Sequence, residues 1–267
     1  MMLPGTGHLH YIETLRRNIR TLFMDEINVS IIIISFIATW VRSTFGFGES
    51  LVAVPLLMLF LPVKVAVPLS VLLSVLVAAI VVVQDHSKIH WRSAKWLVLS
   101  ALPGIPAGLA LLLYGSEAWV KRGLGMLMCI YSLYALFGKK KIRLHNDSRP
   151  WLLLCGFFSG VFGGAYGLNG PPLVIYGNMR QWSAAHFRAT LQAYFLPASA
   201  IGMVGYVLKG LVTAEVLSYF LMTVPAVIPA VWLGRYCNHR LKNDSFFNYL
   251  YVALLLIGCF LIVNTIT

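Results

Sequence analysis

Arg42 and Glu49 flank one glycine-bearing stretch of an otherwise apolar chain, and Asn169, Arg188 and Gln192 lie in or soon after another. Ionisable side chains at membrane depth are costly, so each is a functional candidate by default. Arg42 and Arg188 offer a planar fork of donors suited to an oxyanion; snorkelling to the interface is the competing reading for both. Gln192 and Thr190 follow Arg188 just inside an apolar run. Glu49 would repel an anion unless it were protonated or paired with Arg. It is therefore read as the carrier of a coupling proton, the alternative being a Glu paired with Arg42 or facing solvent at the break. Gly46, Gly48, Gly167 and Gly170 let backbone approach a ligand closely, or let helices pack tightly. Asn169 either donates its amide to the ligand or caps a turn.

The elements that must hold these residues are broken helices. Residues 150–179 carry no charge, yet 163–172 are rich in Gly, Asn and Pro. One continuous helix of that length would run about 45 Å, against about 30 Å of hydrocarbon. Two short helices, 151–163 and 172–179, joined by an irregular turn fit better. Such backbone survives in a bilayer only where protein covers it or where it lines a watery cavity, and in secondary transporters it marks binding sites. Residues 42–50, RSTFGFGES, interrupt the apolar pieces 27–41 and 51–63 in the same manner. The second helices would begin near Ser50 and Pro171. Each N-terminus carries about half a positive charge, so two facing breaks would aim both at one anion.

Composition sets the class. The chain has 267 residues, 59% of them hydrophobic and 11% charged, where a soluble domain carries about 25% charged residues. Apolar runs of spanning length recur at 65–83, 96–114, 119–138, 189–208, 216–234 and 245–267. The expected fold is all-α, a polytopic integral membrane protein. The net charge of +12 comes from Lys and Arg in the joints between runs, as bilayer topology demands. Membrane lipid is thus an expected partner and nucleic acid is not. The four cysteines show no CxxC spacing, and His86 and His90, four apart, read as loop residues at a helix boundary, so neither metal nor cofactor is expected. No Walker-type phosphate loop occurs, and the uncharged runs hold no nucleophile–base pair; an enzyme is not expected.

Residues 1–26 form an N-terminal tail without the apolar core of a cleaved signal. Tyr11, Ile12, Leu15, Ile19, Leu22 and Phe23 fall at helical spacing among Arg16, Arg17 and Arg20, which fits an amphipathic helix on the membrane surface. A disordered tail is the alternative. Beyond it come a first transmembrane half at 27–138, a basic linker at 139–149 and a second half at 150–267. A shift of 121 residues pairs Phe45 with Tyr166, Gly46 with Gly167 and Lys88 with Lys209, the mark of a duplicated transporter. If each broken segment returns to its own side, the halves are inverted. The Lys and Arg of the joints favour that arrangement over parallel halves, although a basic tail would prefer the cytoplasmic leaflet, against the orientation this count gives.

The pieces FGFGESLVAVPLL at 45–57 and SGVFGGAYGLNGPPLVIYGNM at 159–179, followed by FRATLQAYF at 187–195, resemble the paired signatures of the sulfite exporter TauE/SafE transporters. The resemblance covers about 28–265. It implies a multi-pass transporter of the bacterial inner membrane with two homologous halves. It also implies a small anionic substrate: sulfite, an organosulfonate or a related sulfur oxyanion, moved by alternating access. Gly46, Gly48, Gly167, Asn169, Gly170, Arg188, Gln192 and Arg42 are then the expected substrate-binding residues and Glu49 the coupling residue, with protons as coupling ion. One departure stands out: many relatives run glycines through the first break, where this chain has Glu49 and Ser50. A transporter or channel for another small organic anion, such as a carboxylate, is the alternative.

Overall fold

The computed structural model describes residues 6–86, 89–137, 149–180, 182, 184–240 and 245–263. In chain order the helices are α1 (Thr6–Phe45), α2 (Glu49–Leu57), α3 (Val63–Asp85), α4 (Trp91–Ala101), α5 (Gly104–Tyr114) and α6 (Glu117–Phe137). The second half follows with α7 (Arg149–Tyr166), α8 (Gly170–Met179), α9 (Ala184–Leu208), α10 (Ala214–Arg240) and α11 (Ser245–Val263). Five of them are long and apolar enough to cross a membrane, within α1, α3, α6, α9 and α10, and the bent pair α4 and α5 makes a sixth. The chain is an all-helical, polytopic membrane protein.

Both breaks are present and shorter than the sequence suggests. The first is Gly46–Gly48 and the second Gly167–Asn169. Gly46 and Gly167 adopt φ of +85° and +69°, a left-handed conformation that L residues with a Cβ resist. At the second break Leu168 N–H bonds back to Phe162 O at 3.1 Å and Gly167 N–H to Gly163 O at 2.9 Å, the pattern of a glycine-terminated helix. α7 continues through Gly163 and Gly164, where the expected break began. Tyr206 Oη donates to Gly164 O at 2.8 Å, and Gly164 packs directly on the backbone of Ile105 and Leu109. Gly164 thus serves helix packing, while Gly163 makes room for the Asn169 side chain. Pro171 and Pro172 fall in the first turn of α8, where their missing N–H groups have no helical acceptor to leave unpaired.

Two further boundaries differ from the pattern. α1 runs unbroken from Thr6 across position 26, so the tail and the first span share one helix. The run 96–114 is two helices bent by 44°. Pro103 breaks the backbone ladder and caps α5, while Pro106 sits in the tolerant first turn. The second-half helix equivalent to this bent pair is α10, which carries Pro225 and Pro229 but stays one helix.

The helices pack in a paired way. α5 lies along α7 in parallel: Ala101 meets Gly160, Gly104 meets Phe157 and Val161, and Gly108 meets Val161 and Ala165. α10 lies along α1 in the same sense, Gly234 against Trp40 and Ser43, and Asn238 Nδ2 donating to Thr44 O at 2.6 Å. α6 and α11 run antiparallel, since Gly125 meets Gly258 and Ile262 whereas Tyr131 meets Tyr251. α3 and α9 are antiparallel too. Ser74 meets Ser199 at 3.3 Å, and His90, just beyond α3, bonds Thr190, nearer the start of α9. His90 also accepts from Ser93 N–H and so caps α4, a structural role for one of the two spaced histidines.

Candidate functional site

Between the breaks lies a small cavity lined by Arg42, Phe47, Gly48, Glu49, Ser50, Leu51, Ser74, Gly167, Leu168, Asn169, Gly170 and Phe195. Phe47 packs over Gly170, and Ser50 lies beside Gly167, so the two interruptions touch. α1 carries Arg42 one turn before its glycine terminus, and α2 opens with Glu49 one residue past the break. The fold of the chain at Gly46–Gly48 therefore brings two residues seven apart in sequence into contact.

Arg42 is 2% exposed and held by three side-chain hydrogen bonds. Its Nη1 donates to Glu49 Oε2 and to Ser74 Oγ at 2.6 Å, and its Nη2 donates to Gln192 Oε1 at 2.8 Å. The guanidinium carbon sits 5.0 Å from the centroid of the Phe195 ring, within cation–π range. Gln192 is fixed in turn by donating to Gly46 O at 2.8 Å. Glu49, at 2% exposure, is the buried acid among the described residues. A buried ion pair is favourable only when its remaining polar atoms are satisfied. Here Glu49 Oε1 and Arg42 Nε have no hydrogen-bond partner.

The opposite wall is neutral. Asn169 Nδ2 donates to Ser199 Oγ at 3.3 Å, and Ser199 meets Ser74 Oγ at 3.3 Å. Ser159 Oγ donates to Asn169 O at 2.6 Å and lies 2.9 Å from Tyr194 Oη, which holds the second break against α9. Asn169 thus both lines the cavity and braces the turn. Ser50 accepts from Ser70 Oγ at 3.2 Å.

Of the residues expected from the sequence, Arg42, Gly48, Glu49, Gly167, Asn169 and Gly170 line the cavity. Gly46, Gln192 and Arg188 do not. Gln192 orients Arg42 from behind, and Gly46 packs against the Arg188 backbone, where a Cβ would stand 3.0 Å from Arg188 Cα. Arg188 is itself buried, at 5% exposure. Sequence reasoning missed Ser74, Ser199 and Phe195. Ser70 and Ser74 stand one helical turn apart in an apolar span, a faint polar stripe that points inward.

Apolar helices of spanning length around a polar cavity between two broken helices define a polytopic membrane protein of transporter type. The family model of the sulfite exporter TauE/SafE matches residues 31–261, and the chain belongs to that family. A probable sulfite/organosulfonate exporter of Cupriavidus necator is 24% identical over 153 residues, 55% of this chain and 58% of that protein. No solved structure is significantly similar to the chain.

Proposed function

We propose that this protein is a secondary transporter of a small anion in the bacterial inner membrane, the anion binding in the cavity between the two breaks. The observation that carries this reading is a buried Arg42 beside the N-terminus of α2, both on the wall of one cavity. Gly48, before α2, gives no side-chain cap, so the first backbone N–H groups of α2 add to the donors available there. Sulfite and organosulfonates are the leading substrates, on the family and on the named relative. A carboxylate is the second reading, because the same donors would hold it.

Alternating access between inverted halves is the proposed mechanism. Its support is directional: α3 pairs with its sequence equivalent α9 antiparallel, and α6 pairs with α11 antiparallel. A two-fold exchange that reverses helices has its axis across them, so the first half and the second would face opposite sides of the membrane. Glu49, alone among the cavity-lining residues in carrying a carboxyl, is the proposed exchange point for a coupling proton. Flux into proteoliposomes of sulfite, thiosulfate, alkanesulfonates and carboxylates, with internal pH followed, tests all three. Saturable flux of a sulfur oxyanion supports the reading, and no flux of any anion tested would sink it.

A further inference from the structure

The cavity wall presents one formal positive charge and one negative, Arg42 and Glu49. They cancel, so a dianion would leave the buried site doubly negative and a monoanion only singly so. The donors and acceptors left over on this pair then define what the monoanion must look like. Arg42 Nη1 spends both protons on Glu49 and Ser74, while Nη2 spends one on Gln192. Nε has no partner, and Nη2 has one proton beyond its bond to Gln192. These two lie on one edge of the guanidinium, the side-on fork that an oxyanion can accept. Glu49 Oε1 is left as a buried acceptor with nothing to accept from. A carboxylate oxygen in that condition is costly, and a ligand that supplies a donor removes the cost.

We propose that the site is specific for a small monoanion that carries its own hydroxyl donor one or two atoms from the anionic group, with Glu49 Oε1 as the specificity-determining acceptor. Anionic oxygens take the Arg42 edge and the α2 N-terminus, and the O–H turns to Glu49. Phe47, Leu51, Leu168 and Phe195 leave an apolar wall for the intervening carbon. This inference rests on the reading of the cavity as the anion site. It adds that an unsubstituted alkyl anion is the poorer ligand, because it strands Oε1 against a methyl group. Discrimination by a missing hydroxyl is large wherever the site is built to bond it.

The test uses an isosteric pair, hydroxymethanesulfonate and ethanesulfonate, which differ by a hydroxyl in place of a methyl. Equilibrium binding to the full chain in nanodiscs at neutral pH is expected to favour the hydroxy compound by roughly tenfold or more. Equal affinity, or tighter binding of ethanesulfonate, overturns the inference and leaves the anion site standing. Binding of neither compound, or binding of both that Arg42→Gln does not weaken, overturns the anion site as well. In Glu49→Gln the preference is expected to fall to about threefold or less, because a charged acceptor has become a neutral one. A preference unchanged in that variant takes the assignment away from Glu49. The glycolate and propionate pair, read in the wild-type protein alone, repeats the comparison should the variant fail to fold.

Discussion

Gly46–Gly48 and Gly167–Asn169 each end a long helix on a left-handed glycine and open a short one, yet the shift of 121 residues that aligns them sets Arg42 opposite Gly163 and Glu49 opposite Gly170. The room that Gly163 leaves free is taken by the Asn169 side chain, which sits where a Cβ would be. Ser50, in the first turn of α2, corresponds to Pro171 in α8. Pro171 and Pro172 remove two of the N–H groups with which a helix N-terminus holds an anion, whereas the first turn of α2 keeps its own. The backbone device is duplicated and its chemistry is not. One break supplies charge and donors; the other supplies a rigid neutral wall braced by Ser159 and Ser199. Two equal N-termini sharing one anion, the arrangement the matched breaks suggest, give way to a lopsided site.

Removing the charge from the chemical break carries the largest expected effect. Arg42→Gln leaves Glu49 buried without a counter-charge, which costs about 3–5 kcal/mol in comparable sites. Thermal unfolding in detergent should show a large drop, and anion flux should be lost. Arg42→Gln with Glu49→Gln should recover most of the stability but none of the flux, because the penalty is electrostatic while the donor fork stays absent. If the double variant transports normally, the polar side of the comparison collapses.

The shared backbone plan predicts a smaller and symmetrical effect. A Cβ at Gly46 or Gly167 would force a left-handed L residue, costing about 1–2 kcal/mol. It would also crowd Arg188 Cα at 3.0 Å in the first case and a Val71 methyl at 2.9 Å in the second. Gly46→Ala and Gly167→Ala are therefore expected to destabilise by similar amounts. Alanine tolerated at one break and not at the other would show that the two turns are held by different forces.

The interruptions were legible because Gly and Pro in an uncharged run contradict a continuous span, and both occur at one spacing. Their lengths were not. Gly163 and Gly164 read as breakers, but a glycine that admits the Asn169 side chain or lets α7 touch α5 has the same letter as one that ends a helix. Arg42 and Glu49 were legible as ionisable residues beside a break. Ser74, Ser199 and Phe195 were not, because Ser and Phe are ordinary in apolar spans and only the antiparallel meeting of α3 and α9 brings them to Arg42. The bend at Pro103, against the unbent helix of Pro225 and Pro229, shows why proline alone does not locate a break.

Arg188 gives the smallest expected effect and the sharpest contrast with Arg42. From sequence spacing, both arginines are fork donors for the anion. In the fold Arg42 lines the cavity, whereas Arg188 lies behind Gly46 and outside that lining. Lys keeps the charge and loses the planar fork. At Arg42 that loss breaks the simultaneous bonds to Glu49, Ser74 and Gln192, so Arg42→Lys should raise the KM for anion flux by roughly tenfold, the worth of a lost charge-assisted hydrogen bond. Arg188 is not among the cavity-lining residues, so the same change there should move KM by less than about twofold even where stability falls by roughly 1 kcal/mol. Separate measurement of KM in proteoliposomes and of thermal stability distinguishes the two effects. A KM raised as far by Arg188→Lys as by Arg42→Lys would bring Arg188 into the binding site, and the anion would then be held from both sides of Gly46 rather than from the first break alone.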